Sequence, residues 1–179
     1  TEISIPDGVT EIKAGAFFSC DNLVKMRVPN SLESLGHQAL YGLNNVEYAV
    51  VDSVKYLGNE KNSCVVAMGP ASDTIRDCEI QSGTKIIFDS AFQNCTSLTT
   101  VVIPDSVVAM GERVFERCTG LTKVTIGSGL EEIPFSGFNG CSALETVTIS
   151  GKASPYVKKQ LSGMIEKDLG VGVENQRWI

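Results

Sequence analysis

A short motif recurs at a fixed interval of 23 residues, and this repetition constrains the fold more than any other feature. The copies IPDGV, VPNSL and IPDSV begin at residues 5, 28 and 103, and looser copies begin at 80, 126 and 149. A cysteine recurs with the same step at 95, 118 and 141. Separate markers in one register indicate structural repeats, and a period of this length is typical of stacked coils.

Within one repeat, the apolar pattern predicts a short strand. In the segment LTTVVI, Leu98, Val101 and Ile103 are expected to point inwards, while Thr100 and Val102 point outwards. A proline follows and ends strand pairing because it lacks an N–H group. One such unit cannot cover its own apolar face, so the repeats are predicted to stack into a solenoid with a parallel sheet.

The register breaks once, between residues 28 and 80, where the interval is 52 residues rather than 46. About six extra residues therefore lie in an irregular segment, residues 52–79. Within it, the apolar runs Val54–Leu57 and Cys64–Met68 flank the sequence GNEKN. Two apolar runs around a Gly/Asn-rich turn predict an inserted β-hairpin that projects from the array.

The C-terminal segment departs from the repeat and predicts a helical cap. Ser154 and Pro155 form a favourable helix start, and Gly170 is placed to end the helix. Terminal units of a solenoid normally cover the open end of the core. The predicted division is a solenoid over residues 1–151 and a cap over 152–179. The side chains expected against the core are Tyr156, Leu161, Ile165 and Leu169.

Composition and motif spacing argue against several classes of function. The net charge of −6 disfavours nucleic acid, and no apolar run is long enough to span a bilayer, so no membrane insertion is expected. The single histidine, His37, is expected to be a surface residue rather than part of a catalytic group. The sequence contains no motif typical of an enzyme, a metal site or a cofactor site. We therefore predict no catalytic residues, no metal ligands and no cofactor.

The six cysteines follow the repeat and are interpreted as packing residues. The closest pair, Cys64 and Cys78, is too far apart in sequence for the paired ligands of a structural zinc site. No disulfide is expected among Cys20 and the cysteines at 95, 118 and 141, because equivalent positions in stacked coils point in parallel. A bond between Cys64 and Cys78 is left open.

The pattern I-P-D-S-V…A-F…C-T-S-L-T-T-V-V-I-P resembles the BspA-type leucine-rich repeat of bacterial and protozoan surface proteins. The resemblance covers roughly residues 2–51 and 80–151, with departures at Leu40, Leu43 and Pro134. It implies a right-handed leucine-rich-repeat-like coil and a cell-surface or secreted protein. It also implies a module for adhesion or protein–protein interaction, with an extracellular matrix, host-cell or neighbouring-cell protein, or a glycan, as the partner.

The outward positions of the predicted strands form the candidate binding face. Basic residues on it could steer an acidic partner towards an otherwise acidic protein. The hairpin is expected to stand beside the sheet as a wall, with Tyr56 contacting the partner. The alternative is a structural spacer within a larger surface protein, with binding located elsewhere. The candidate residues are Lys25, Arg27, Asn45, Glu47, Tyr56, Thr100, Val102, Lys123, Thr125, Thr146 and Thr148.

Overall fold

A computed structural model describes residues 1–134, 136–149, 152–164 and 177–178. Short strands dominate, and one helix follows them. In chain order the elements are β1 (Glu2–Ser4), β2 (Glu11–Ile12), β3 (Lys25–Arg27), β4 (Ser34–Leu35), β5 (Ala49–Val51), β6 (Val54–Leu57), β7 (Val66–Pro70), β8 (Asp77–Glu79), β9 (Ile86–Ile87), β10 (Thr100–Ile103), β11 (Ala109–Met110), β12 (Lys123–Ile126), β13 (Thr146–Ile149), α1 (Pro155–Met164) and β14 (Arg177–Trp178).

The strands lie in two rows that run along a solenoid. The front row contains the parallel pair β1–β3 and the parallel sheet β14-β13-β12-β10-β8. The rear row contains the pair β2–β4 and the sheet β11-β9-β7-β6-β5. Partners in β1–β3 and in β8-β10-β12-β13 differ by 23 residues, as in Thr100 with Lys123 and Lys123 with Thr146, whereas β13 and β14 pair residues that are 29 apart. The predicted repeat solenoid is confirmed.

We number the coils from the start of each front strand. Coil 1 covers residues 2–24, coil 2 covers 25–47, coil 3 covers 48–76, and coils 4, 5 and 6 begin at 77, 100 and 123. Coil 3 is the long one, and it contributes β5, β6 and β7 to the rear row but no named strand to the front row. The front row is therefore interrupted between β3 and β8.

Burial follows the alternation predicted from the sequence. Leu98, Val101 and Ile103 are at most 1% exposed, whereas Val102 is 36% exposed. Stacking of equivalent side chains builds the core, most clearly in the phenylalanines of coils 4, 5 and 6. The ring centroids of Phe92 and Phe115 are 5.3 Å apart, and those of Phe115 and Phe138 are 5.2 Å apart. These rings form a continuous apolar column inside the solenoid.

The inserted segment differs from its predicted shape. Strands β6 and β7 are antiparallel, as the hairpin prediction requires, but a further hairpin, β5–β6, precedes them. Its two-residue turn is Asp52-Ser53, with φ values of 46° and 66°. The predicted projection is wrong, because β7 pairs with β9 and the strands lie inside the rear sheet. Val54, Leu57 and Val66 are at most 2% exposed, so burial of these apolar residues holds the hairpin in place.

The helix begins as the sequence predicts. The Val157 N–H donates to Ser154 Oγ at 3.2 Å, which caps the helix start. Val157 and Leu161 are buried and join the same core cluster as the coils before them. Tyr156 is 58% exposed, so its predicted packing against the core is wrong: it lies on the solvent side of α1. The predicted contacts of Ile165 and Leu169, and the stop at Gly170, lie outside the described residues.

One buried hydroxyl interrupts the apolar core. Thr84 is fully buried, and its Oγ1 has no hydrogen-bond partner in the described part of the chain. Coils 2, 5 and 6 have Leu32, Val107 and Leu130 at the equivalent position. An unpaired buried hydroxyl costs roughly 1–3 kcal/mol.

We expect Thr84→Val to raise the free energy of unfolding by about 1 kcal/mol, because it removes that desolvation cost while keeping the side-chain shape. Denaturant unfolding measures the change. Thr125→Val in the front row is the control, since its half-buried side chain lies on the outer side of the sheet, and we expect little effect. A destabilising Thr84→Val would show that the hydroxyl has a partner.

All six cysteines are free thiols in the structure. The thiol of Cys118 donates to the Phe92 carbonyl, and that of Cys141 donates to the Phe115 carbonyl, each with 3.0 Å between the heavy atoms. Burial raises the pKa of the Cys78 and Cys95 thiols from 9.0 to about 12. Neutral thiols are therefore part of the native packing.

We expect alkylation under denaturing, non-reducing conditions to modify at least four thiols, and native alkylation at neutral pH to be slow. The raised pKa values of Cys78 and Cys95 favour the native state below pH 9, and this stabilisation is lost as pH rises from 9 towards 12, because the unfolded thiols ionise first. Mass spectrometry counts the alkylated thiols. Denaturant unfolding at several pH values measures the loss of stability as the pH rises. Fewer than four modified thiols would contradict the free-thiol assignment.

Candidate interaction surface

A depression of about 370 Å³ opens on the front row where coil 3 departs from the sheet. The Glu47 N–H donates to the Val24 carbonyl at 2.9 Å, so the chain first follows β3. It then leaves the row through β5 and β6 and returns at Gly58, whose carbonyl accepts from the Val28 N–H at 3.0 Å. The depression lies between the point where coil 3 leaves the front row, after Glu47, and the point where it returns, at Gly58.

Two asparagines hold the returning chain between coils 2 and 4. Asn59 Nδ2 donates to the Val28 carbonyl at 2.9 Å, and Asn59 Oδ1 accepts from the Asn62 N–H at 3.0 Å. Asn62 Nδ2 in turn donates to the Gly83 carbonyl at 2.9 Å. Because side chains here replace the backbone pairing of the regular coils, the wall of the depression is fixed rather than free to move.

Gly58 lies where the chain turns back against itself. A Cβ atom at Gly58 would be 2.2 Å from the Asn62 carbonyl oxygen and 2.4 Å from the carbonyl carbon of Ser63. Both contacts are with backbone, which cannot move away without breaking the turn. The tight turn brings Asn59 and Glu60 to the rim of the depression.

Charged side chains of both signs line the depression. Arg27 Nη2 lies 3.3 Å from Glu60 Oε1, and the Arg27 side chain is 36% exposed. Lys25 and Glu47 also line the depression, and Lys25 forms no ion pair within the described part of the chain. The structure thus brings Lys25, Arg27 and Glu47 of the predicted face together around one depression. Lys25 has an ammonium group available to a partner.

Tyr56 is not a surface residue, which corrects its predicted role. Its side chain is 1% exposed, and its hydroxyl oxygen accepts from the Gln81 N–H at 3.1 Å. Burial raises the pKa of Tyr56, so the phenol stays neutral. It contacts core residues because β6 lies inside the rear sheet. The turn that follows β6, at Asn59 and Glu60, borders the front row and lines the depression. Tyr56 forms the floor of the depression and does not project from it.

The C-terminal half of the front row carries two lines of mostly short side chains. In register, Thr100, Lys123 and Thr146 form one line across β10, β12 and β13. Val102, Thr125 and Thr148 form the second line. These six predicted residues lie on one face, whereas Asn45 is exposed in the turn before the depression and donates from Nδ2 to the Asp21 carbonyl at 2.8 Å.

The front row carries acidic residues that the sequence interpretation missed. Asp77 and Glu79 on β8 are exposed and pair in register with Thr100 and Val102. Glu2 pairs with Lys25. The basic residues expected to steer an acidic partner therefore do not make this face positive overall, because carboxylates lie among them. The 23-residue step from Thr100 and Val102 leads directly to positions 77 and 79, so the signal was present in the sequence.

No cluster of three metal-binding side chains occurs among the residues that the structure describes. His37 is 67% exposed, and its Nδ1 lies 3.5 Å from Asp89 Oδ2. The chain has no second histidine.

Comparison with known proteins agrees with the geometry. The sequence profile of the BspA type leucine-rich repeat region matches residues 1–64 and 71–162 in six copies. The chain belongs to the BspA-type leucine-rich repeat family. Its departures from the repeat pattern keep the core intact, because Leu40 and Leu43 are 1% and 3% exposed. No helix in the described part of this BspA-type chain has the length and apolarity needed to cross a membrane.

Solved structures with similarity to this BspA-type chain include three bacterial leucine-rich repeat proteins. A leucine-rich cell surface protein of Faecalibacterium prausnitzii is 20% identical over 99% of this chain and 59% of its own, with a TM-score of 0.48. A leucine-rich repeat protein of T. pallidum is 19% identical over 96% of this chain and 86% of its own, with a TM-score of 0.41. One from Eubacterium ventriosum is 16% identical over 83% and 66%, with a TM-score of 0.42.

The chain thus spans 59% of the length of the first of these proteins. No protein with curated annotation matched it significantly.

Proposed function

We propose that the chain is a non-enzymatic protein-interaction module of a cell-surface or secreted protein, and that an extended segment of a partner protein binds across its front row. The observation that carries this proposal is the depression beside β3, where Lys25, Arg27 and Glu47 surround a fixed cavity in an otherwise flat sheet. Surface location and a matrix or cell-surface partner are supported by membership of the BspA-type family, and a glycan partner is the alternative.

The charge pattern defines the segment that fits. Lys25 is unpaired within the described residues, whereas Arg27 already contacts Glu60. A carboxylate of the partner at Lys25 would therefore form a new ion pair without breaking an existing one. Glu47 is exposed and also lines the depression. It favours a partner that carries a basic or hydroxyl group next to the carboxylate bound by Lys25. The preferred partner carries both signs of charge.

The threonine lines extend the same surface. Hydroxyls of Thr125 and Thr148 can donate and accept hydrogen bonds, and Val102 adds an exposed apolar contact. The Thr100 hydroxyl donates to Asp77 Oδ1 at 2.7 Å, so it can only accept from a partner. A segment that begins in the depression and crosses β8, β10 and β12 would reach Lys123 after strand steps of about 4.8 Å each. Weak contacts along this path would add to the anchored contact at Lys25. The short threonine side chains also suit a spacer, which is the second candidate function.

The test uses purified extracellular-matrix proteins and intact epithelial cells as probes, with the full chain immobilised on a biosensor. We expect Lys25→Glu to weaken binding by about tenfold or more. Lys123→Glu should weaken it by a smaller factor, because it lies at the far end of the path. Lys152→Glu is the control: it makes the same charge change at an exposed residue outside the front row.

Unchanged binding in Lys25→Glu would move the site away from the depression. Failure of all probes to bind the wild-type chain would overturn the proposal and favour the spacer function. Thermal unfolding of each variant confirms that the fold is kept.

A further inference from the structure

A second cavity of about 560 Å³ lies on the side of the solenoid where the chain crosses from the rear row back to the front row. In coils 1 and 2 the crossing segments are joined by backbone bonds, such as Ser19 N–H to the Tyr41 carbonyl at 2.9 Å. Coils 4 and 5 are joined in the same way, as in Phe92 N–H to the Val114 carbonyl at 2.9 Å. No residue of coil 3 lines the cavity, which opens between coils 2 and 4.

One carboxylate fixes the edge of the cavity. Asp89 Oδ2 accepts from the Gln38 N–H of coil 2, and Asp89 Oδ1 accepts from the Glu112 N–H of coil 5, both at 3.0 Å. The Asp89 side chain is 15% exposed. Because its two oxygens connect coils on both sides, the cavity has a set width and does not depend on a ligand to hold it open.

An aromatic ring face forms one wall. Phe18 and Tyr41 stack with ring centroids 5.8 Å apart and an angle of 16° between the rings. They are 49% and 55% exposed, although aromatic side chains of this size are usually covered. Phe18 covers one face of Tyr41, and Tyr41 lines the cavity while Phe18 does not. The uncovered face of Tyr41 therefore continues the aromatic stack into the cavity, at the place where a coil 3 side chain would otherwise lie.

Polar groups with free hydrogen-bonding capacity line the same cavity. Gln93 Nε2 donates to Glu116 Oε2, which orients the amide and leaves Gln93 Oε1 without a described partner. Ser136 Oγ donates to Glu112 Oε2, which leaves the other oxygen of Glu112. The Arg113 guanidinium also lines the cavity and forms no ion pair with the described residues. Donors and acceptors are both present, and the lining carries both signs of charge, with the carboxylates of Asp89 and Glu112 beside the guanidinium of Arg113.

We propose that this cavity is a binding site for a neutral saccharide. A pyranose ring has an apolar C–H face and a rim of hydroxyl groups, which match an aromatic face in the same cavity as an oriented amide, an oriented carboxylate and an unpaired guanidinium. Groups of both signs disfavour a strongly charged ligand, because any single charge on it meets a like charge in the wall. This site is separate from the front row and does not depend on the function proposed for that surface.

The experiment is calorimetric titration of the full chain with cellotriose, maltotriose and triacetylchitotriose. We expect at least one of them to bind with a Kd of about 1 mM or tighter. Tyr41→Ala should weaken that binding by about tenfold or more, and Gln93→Leu should weaken it without removing the ring. Tyr156→Ala is the matched control, since Tyr156 is 58% exposed on α1, and its affinity should equal that of the wild type.

Absence of binding for all three neutral sugars at about 10 mM would overturn the proposal, because such an affinity is too weak for a built site. So would binding that both Tyr41→Ala and Gln93→Leu leave unchanged. Two further probes test the chemical class. Tighter binding of sialyllactose would indicate an acidic sugar, and tighter binding of a polyproline peptide would indicate a peptide site, and either result would replace the neutral saccharide.

Discussion

Phe115→Ala should lower the free energy of unfolding by about 3–5 kcal/mol. Phe115 is fully buried and stacks on both Phe92 and Phe138, with ring centroids 5.3 and 5.2 Å away. Removing the central ring leaves a cavity with aromatic walls on two sides, and neighbouring coils cannot close it without losing their backbone pairing. Denaturant unfolding monitored by circular dichroism measures the loss.

Phe18→Ala is the matched control for this prediction. Phe18 also stacks on one aromatic residue of the next coil, but it is 49% exposed, so its removal creates no internal cavity. We expect a change below about 1 kcal/mol. Equal destabilisation by the two substitutions would show that stacking alone, rather than burial in the column, stabilises the repeats.

Leu161→Ala should lower the free energy of unfolding by about 2–5 kcal/mol and expose the C-terminal end of the core. Leu161 is 2% exposed and belongs to the same apolar cluster as Leu144 of coil 6 and Val147 and Ile149 of β13. A helix that loses this contact is held mainly by Val157, and an uncovered solenoid end tends to associate with other copies. Thermal unfolding and light scattering follow stability and association together.

Tyr156→Ala serves as the control on the same helix, because Tyr156 is 58% exposed and its loss removes little buried area. Truncation after residue 151 should have an effect at least as large as Leu161→Ala. A truncated chain as stable and as monomeric as the full chain would contradict a capping role for the helix. The division of the chain at residue 151 stays a prediction until such a truncation is made.

The regular coils could be predicted because a single distance, the 23-residue step, determines which residues become neighbours. Once Thr100 and Lys123 are placed side by side, alternation assigns every inward and outward position along their strands. The helix start could be predicted for a similar reason, since capping by Ser154 depends on neighbouring residues alone. Local and periodic information is sufficient for these elements.

Coil 3 could not be predicted in the same way, because its shape depends on pairing between distant residues. The turn at Asp52-Ser53 lacks the Asn-Gly or Gly signal typical of tight hairpins, so β5 was missed. Burial of Tyr56 follows from the pairing of β6 with both β5 and β7, which no period in the sequence encodes. The depression at Lys25 exists because of this arrangement. The sequence therefore placed Lys25, Arg27 and Glu47 on the candidate face but did not predict a depression there.

The front-row register has a consequence for how such a chain can change length during evolution. Excising residues 103–125, for example, would join Val102 to Ile126, and each remaining strand would keep an equivalent neighbour. Gain or loss of one coil by recombination is therefore structurally tolerated in coils 4 to 6. Coil 3 does not share this freedom, because Asn59 and Asn62 contact specific carbonyls in the coils on either side. Recombination can thus lengthen or shorten the uniform part of the array while this one interruption keeps its fixed neighbours.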